Sequence, residues 1–410
     1  MWLSLCLTTW STLTIAFSAA EQAPASPKMT GLRNLGNTCY LNSQLQCAYQ
    51  IPLIRGIILK NPITRADTSD DDDDDDGGDD DDEDEDKATP ESPGLVALRS
   101  VFADMAKVAG TGRSVSPVIL TRTLGIPVME QQDSQEFWKL LLPALQLPRL
   151  TDLYQGAFED YIVAADGSGR EKRREETFLD ISLDVVNTHD VRSSLAAAFG
   201  QPELLQVSQG NGWRPTKGAD KVDALKGSRL RARGLPSILQ LHLKRFTYDW
   251  DRNVMEKANV PFAFTEELDL SEFCDDDDKN DKKGCLVYDL QAVVIHVGEF
   301  TAGHYYAYVR PDLDCDRWFR INDDIVDEVT WEEVLKDSIG GKVSSTTKRR
   351  LNSNTTQKKG FFQRLWSRFG DSDGLSGSGP YGFGGQTSNA YVLQYVKRSD
   401  RDRLYDQSLL

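Results

Sequence analysis

The chain has 410 residues, enough for one large domain with subdomains, or for two to three small ones, around a full core. Its formal charge of −17 is concentrated, because residues 70–86 hold 15 acidic residues among 17 and leave the rest near −2; the absence of a large basic field argues against nucleic-acid binding as the main task. Six cysteines (Cys6, Cys39, Cys47, Cys274, Cys285, Cys315) fall at irregular spacings without a CxxC pair, which argues against a disulfide framework and a structural zinc site and for a reducing compartment.

The first element pulls the other way. "MWLSLCLTTWSTLTIAFSAA" is apolar and hydroxyl-rich, contains no acid and ends in small residues near Ala20, like a secretory leader. It also lacks a basic start and is too polar for a membrane span, and Met29 offers a second start, so residues 1–29 read as a signal-like or dispensable segment. From Gly31 to about Lys60 the chain reads as a turn and a helix, and the acidic run after it, 67–87, is an insertion with nothing apolar to bury. A solvated spacer accounts for that run more simply than a binding tail for basic partners.

A second helix starts near Pro93, with Leu95, Leu98, Phe102 and Met105 on one stripe. A third lies in "DSQEFWKLLLPALQL", where Phe137, Leu140, Leu141, Ala144 and Leu145 share a face and Pro143 predicts a kink or an early end. After about Tyr154 the period becomes two, in "GAFEDYIVAAD", "TFLDISLDV", "SILQLHLKRFTYD", "YDLQAVVIHVG", "HYYAYVRP", "WFRINDDIV" and "NAYVLQYVKR". In the third of these, Leu239, Leu241 and Leu243 oppose Gln240, His242 and Lys244, as a half-buried antiparallel strand requires. A helical front and an antiparallel back predict an α+β fold. "CDDDDKNDKKGC" reads as a charged tip, and 340–388 as a second insertion, basic and aromatic and then rich in Gly and Ser. Within it, the aromatic face of 360–370 beside Arg364 and Arg368 suits a flap packed on the domain, or a membrane-surface or partner helix.

Chemistry concentrates in a few places. Thr38 or Asn37 can cap the first helix, placing Cys39 in its first turn, where backbone N–H groups and the dipole favour a thiolate near neutral pH. A buried small hydrophobe is the plainer reading of any one cysteine, and Cys47, roughly 12 Å along the same helix, lacks that advantage. A thiolate nucleophile needs a base, and only His189, His242, His296 and His304 are available. His189 lies in a polar turn, and His242 and His296 lie within strands as satisfied sheet residues. His304 opens a strand directly after Gly303, where backbone can approach closely, and is the best base. About eighteen residues on, Asn322, Asp323 and Asp324 could fix its tautomer, or form an ordinary Asn-Asp turn. Asp133 and Glu136 suit an N-cap and a first-turn acid.

Together these pieces resemble the ubiquitin-specific proteases: "GLRNLGNTCYLNSQLQ" is similar to the family's cysteine box, "QQDSQEF" to the helix motif after it, and "GHYYAYVR…WFRINDDIV" to its histidine box. "SILQLHLKRFTYD" and "NAYVLQYVKR" add matching strands, and the closest flavour is the herpesvirus-associated ubiquitin-specific protease. The resemblance implies a papain-like cysteine protease with a helical thumb and antiparallel palm and fingers, a catalytic domain over 30–398 and a tail over 399–410. It implies Cys39 as nucleophile, His304 as general base and acid, Asn322 as orienting residue with Asp323 as its understudy, and Asn34 as oxyanion donor. Asp133 and Glu136 would contact the arginine-containing tail of ubiquitin, and Tyr305, with Phe246 and Tyr248, would line the passage for its terminal Gly-Gly, unless these rings simply pack between strands. The implied reaction is hydrolysis of the bond after ubiquitin's last glycine through a thioester, on ubiquitin and ubiquitinated proteins, without metal or organic cofactor. Many family members hold zinc in the fingers with two CxxC pairs; none occurs here, so fingers would rely on packing. A catalytically silent ubiquitin-binding module and a hydrolase for another ubiquitin-like modifier are the alternatives. A start at Met29 implies cytoplasm or nucleus; a working leader implies endomembrane routing, for example to the periphery of a complex plastid.

Overall fold

The computed structural model describes residues 29–60, 91–250, 253–274, 286–299, 303–341 and 387–409. The leader-like segment, the acidic run, the charged 275–285 tip and the 360–370 aromatic face lie outside the described residues, as does 340–388 apart from its ends.

The helical half begins with α1 (Cys39–Tyr49), all of whose residues are buried, so it runs through the interior rather than along a surface. The single helix expected to Lys60 is two: Ile51 is extended, as the residue before a proline is driven to be, and α2 (Pro52–Leu59) starts afresh on Pro52. In α3 (Pro93–Val108), Ser92 Oγ caps the Leu95 N–H at 3.2 Å, and Leu95, Leu98, Phe102 and Met105 are buried as their spacing predicts. After α4 (Val118–Thr123), α5 (Ser134–Ala144) ends one residue beyond Pro143, and α6 (Pro148–Tyr154) leads into the strands. Leu140 and Ala144 depart from the expected stripe: Leu140 is 65% exposed and Ala144 is exposed too, and Trp138 and Leu142 are buried instead.

The strand half holds two main sheets. The first pairs β1 (Gly156–Ala164) with β2 (Glu171–Phe178) and β5 (Ala224–Leu230), and β5 with β4 (Glu203–Leu205), all antiparallel. The helix α7 (Val191–Phe199) packs near it, with Phe158 and Phe199 edge to face at 6.0 Å.

The larger sheet runs β13-β12-β11-β10-β14-β6-β3, with β9 (Glu267–Asp269) also on β10. Its strands are β3 (Ile181–Asp184), β6 (Ile238–Lys244), β10 (Val287–Gly298), β11 (Gly303–Val309), β12 (Trp318–Asn322), β13 (Ile325–Val329) and β14 (Asn389–Lys397). Strand β3 joins β6 in parallel, the one non-antiparallel pair within these named strands. One face meets α1 through Ala292, Val294, Tyr305 and Ala307; the other packs Leu239, Leu241, Leu243, Val293 and Ile295 against α8 (Trp331–Ser338) and its surroundings. The polar face of β6 is covered at Gln240, which is 2% exposed and donates to Gln44 of α1 at 3.2 Å and Gln394 of β14 at 2.9 Å, whereas His242 is partly buried and Lys244 exposed, as the half-buried alternation predicts. A two-stranded ribbon, β7 (Phe246–Asp249) with β8 (Val254–Lys257), follows β6.

Candidate active site

Cys39 opens α1, but the helix end is not built as the sequence suggests. Thr38 is the N-cap residue and makes no side-chain cap. Its hydroxyl instead accepts from the Leu35 N–H at 3.0 Å and lies 3.4 Å from Asn34 Oδ1, tightening the loop before the cysteine. Asn34 Oδ1 also accepts the backbone N–H groups of Gly36 and Thr38, each at 3.0 Å. The Asn37 N–H donates to Val128 O at 2.7 Å and Asn37 Nδ2 to Met129 O at 2.6 Å, so the 34–38 loop is pinned against the segment before α5.

Cys39 is 2% exposed, and that burial decides its ionisation. Loss of solvent pushes the thiol up to about 11, aided by the Asp323 carboxylate, against the backbone N–H groups of Tyr305, Tyr40 and Cys39 itself. The resting group is a neutral thiol, not the thiolate that a helix start predicts, because desolvation outweighs the dipole. Alkylation of Cys39 by iodoacetamide, followed on its own peptide by mass spectrometry, should rise about tenfold per pH unit from 7 to 10. A rate that is half-maximal near about pH 8.5 and level above it, as for an ordinary thiol, would contradict this account. Cys47 is buried deeper and pushed up to about 12.

His304 and Asn322 meet across neighbouring strands. His304 Nε2 lies 2.6 Å from Asn322 Oδ1, so the ring carries its proton there and Nδ1 is the basic nitrogen. Asn322 ends β12, and Asp323 and Asp324 form the two-residue turn into β13, with Asp323 at φ +53°. The plain turn and the orienting contact therefore coexist. Asp323 Oδ2 accepts from Asn34 Nδ2 at 3.0 Å and lies 3.7 Å from His304 Nε2, while Oδ1 accepts from Asn42 Nδ2 at 2.8 Å. Burial raises the Asp323 carboxyl above its ordinary value, and the Asn42 bond, His304 and the Asn34 bond oppose that rise. One carboxylate thus touches the loop before Cys39, the helix after it, and the imidazole.

Gly303 starts β11 with no room to spare: a Cβ there would lie 2.1 Å from His296 Nε2 and 2.9 Å from Val297 O. Gly303→Ala should cost about 1–3 kcal/mol of stability and, by displacing the strand start that carries His304, more than tenfold in kcat/KM. Thermal melts and steady-state rates check both; unchanged values would mean the strand yields freely.

The other histidines lie in different surroundings from His304. His189 is exposed and 3.3 Å from Asp190. His296 is 1% exposed with Nδ1 unpartnered among the described residues, and burial, with Lys257 and His304 nearby, lowers it to about 2, so it is a neutral core ring. His242 Nδ1 lies 3.0 Å from Ser182 Oγ, with Nε2 unpartnered among the described residues, so neither strand histidine is fully satisfied.

An aromatic floor extends from the cysteine. The Tyr305 ring lies 4.7 Å from His296 and 5.6 Å from Tyr391, and Phe246 lies 5.1 Å from His296 and 5.4 Å from Tyr391. Tyr248 stays within its ribbon, edge to face with Trp250 at 4.7 Å and bonded to Asn253. Asp133 Oδ1 caps α5 through the Gln135 and Glu136 N–H groups at 2.8 and 3.2 Å, and Oδ2 accepts from the Tyr391 hydroxyl. Glu136 is exposed, beside a cavity of about 380 Å³ lined by Tyr40, Ile126, Phe137, Leu140 and Leu141 among others. Sequence reasoning missed Tyr391, Asn42 and Gln131, whose Oε1 accepts the Gly303 N–H at 3.2 Å. Only Asn42, three residues past Cys39 and so on the next helical turn, carried a local signal.

No cluster of His, Cys, Asp and Glu suited to a metal ion occurs among the described residues.

The family profile described as ubiquitin carboxyl-terminal hydrolase matches residues 30–395. Similar curated proteins include Ubiquitin carboxyl-terminal hydrolase 15 of Schizosaccharomyces pombe, 32% identical over 385 residues that cover 91% of this chain and 28% of that protein. Ubiquitin C-terminal hydrolase 13 of Arabidopsis thaliana is 29% identical over 390 residues, 91% of this chain and 30% of that protein. Ubiquitin carboxyl-terminal hydrolase 7 of Drosophila melanogaster is 27% identical over 391 residues, 91% and 28% respectively. The chain therefore spans less than a third of the length of these relatives.

Proposed function

The chain belongs to the ubiquitin carboxyl-terminal hydrolase family, and from that premise we propose that it is a deubiquitinating cysteine protease that cuts the isopeptide or peptide bond after the C-terminal glycine of ubiquitin. The observation that carries this reading is the convergence of Asn34, Asn42 and His304 on one carboxylate, Asp323, with His304 held by Asn322 and with Cys39 at the head of the helix that carries Asn42. In this reading His304 Nδ1 takes the Cys39 proton as Sγ attacks the glycine carbonyl carbon. The developing oxyanion draws on Asn34 and backbone N–H groups near Cys39. The C–N bond then breaks, His304 returns the proton to the leaving amine, and water hydrolyses the thioester to release the glycine carboxylate and the thiol. The neutral resting thiol suits a site in which ionisation and attack are coupled once substrate is bound.

Asp133 and Glu136 flank the route for the arginine-bearing tail, and Tyr305 with Phe246 line its last part; Tyr248, turned into its ribbon, is the weakest member of that set. The test is to incubate the full chain with ubiquitin carrying a C-terminal electrophile and read the intact mass. Addition of one ubiquitin supports the reading. Folded protein that takes no adduct, while a related modifier or none reacts, would turn it toward another ubiquitin-like substrate or a silent binding module.

A further inference from the structure

The space between α5 and the large sheet holds a carboxylate to which the site described above gives no task. Asp180 lies in the link between β2 and β3, its side chain only 3% exposed. On the helix side, Gln135 Nε2 donates to its Oδ2 at 2.8 Å, and Lys139 Nζ stands 3.6 Å from the same oxygen. On the sheet side lie Tyr391 and His242, both within the field of this carboxylate, and His242 Nε2 is buried without a hydrogen-bond partner among the described residues.

A buried carboxylate is best served by a cation at about 2.7–2.9 Å, because its lost hydration must be replaced by direct bonds. Lys139 does not come that close, and its side chain is 49% exposed. Its ammonium therefore gives up little by swinging fully into water on its flexible stem. The position also lies in line with the candidate nucleophile. The Tyr305 backbone bonds the Cys39 sulfur, the Tyr305 ring lies 5.6 Å from Tyr391, and the Tyr391 ring lies 5.0 Å from His242, whose Nδ1 meets Ser182 two residues after Asp180. A row of rings thus leads from Cys39 to Asp180.

We propose that Asp180 is a specificity-determining residue that takes a basic side chain of the substrate tail upstream of the scissile glycine, and that Lys139 is the internal cation occupying it until the tail arrives. The inference rests on the ubiquitin hydrolase reading and names a determinant within it. A guanidinium can approach a carboxylate with two parallel bonds, which the single distant ammonium of Lys139 does not supply. Loss of the acceptor then weakens binding of the tail, while loss of the internal competitor strengthens it. A purely structural clasp between α5 and β3 predicts harm from both changes.

The test uses the full chain and ubiquitin bearing a fluorogenic C-terminal amide. Asp180→Asn should raise KM at least tenfold with kcat within about twofold of wild type, and Lys139→Met should lower KM about two- to fivefold. With a ubiquitin whose tail arginines are replaced by glutamine, the gap between wild type and Asp180→Asn should close. A KM that is unchanged or raised in Lys139→Met, or an Asp180→Asn defect that persists on the arginine-free tail, overturns the proposal. Should Asp180→Asn fail to fold, Lys139→Met still decides it, because its lowered KM should return to the wild-type value on the arginine-free tail and a gain that persists there overturns the proposal. Absence of turnover by the wild-type chain, a distinct result, would overturn the ubiquitin reading and this inference with it.

Discussion

Cys39→Ala is expected to abolish turnover of ubiquitin substrates, lowering kcat/KM by at least about 10⁴-fold, and to eliminate the adduct with electrophile-bearing ubiquitin while the fold is retained. The thiol is 2% exposed at the first residue of α1, so the change removes one sulfur atom from a packed position without altering a cap, because Thr38 provides none. Cys47→Ala serves as the contrast. That thiol is also buried in α1, yet it is held protonated up to about 12 and has no imidazole or carboxylate among its influences, so activity should stay within about threefold of wild type. Steady-state rates and intact masses read both variants. Retained turnover in Cys39→Ala, or loss in Cys47→Ala with a normal melting temperature, would move the nucleophile elsewhere.

Asn34→Ala should lower kcat by about 10²–10³ with little change in KM, the signature of a donor that acts on the oxyanion rather than on bound substrate. Its amide is held at both ends: Oδ1 receives the Gly36 and Thr38 N–H groups, and Nδ2 reaches Asp323 Oδ2 at 3.0 Å. Asp323→Ala frees that amide, removes the acceptor for Asn42, and takes a carboxylate from 3.7 Å of His304, so its kcat loss should match or exceed that of Asn34→Ala. Because part of the Asp323 effect passes through Asn34, the double variant should lose less than the product of the two single losses. Full multiplicativity would mean that the two side chains act independently. A large rise in KM with kcat preserved in Asn34→Ala would assign that residue to substrate binding instead.

Local rules made much of this molecule legible in the sequence. Pro93 and a 3-4 apolar spacing marked α3; Pro143 marked the end of α5; two-residue alternation marked nearly every strand of the large sheet. The helix start at Cys39, the glycine before His304 and the Asn-Asp turn after β12 were visible for the same reason, since each depends on the conformation of a few adjacent residues. The tertiary structure decided what depends on neighbours distant in the chain. It covered the polar face of β6 at Gln240, which meets Gln44 and Gln394 instead of water. It gave Asp323 its bonds to Asn34 and Asn42, residues more than 280 positions away, and set Asp180 between α5 and the sheet. It also reversed the expected charge of Cys39: a helix N-terminus favours the anion by an amount set within one turn, whereas the desolvation opposing it comes from packing by α5 and β11, whose positions no local pattern encodes.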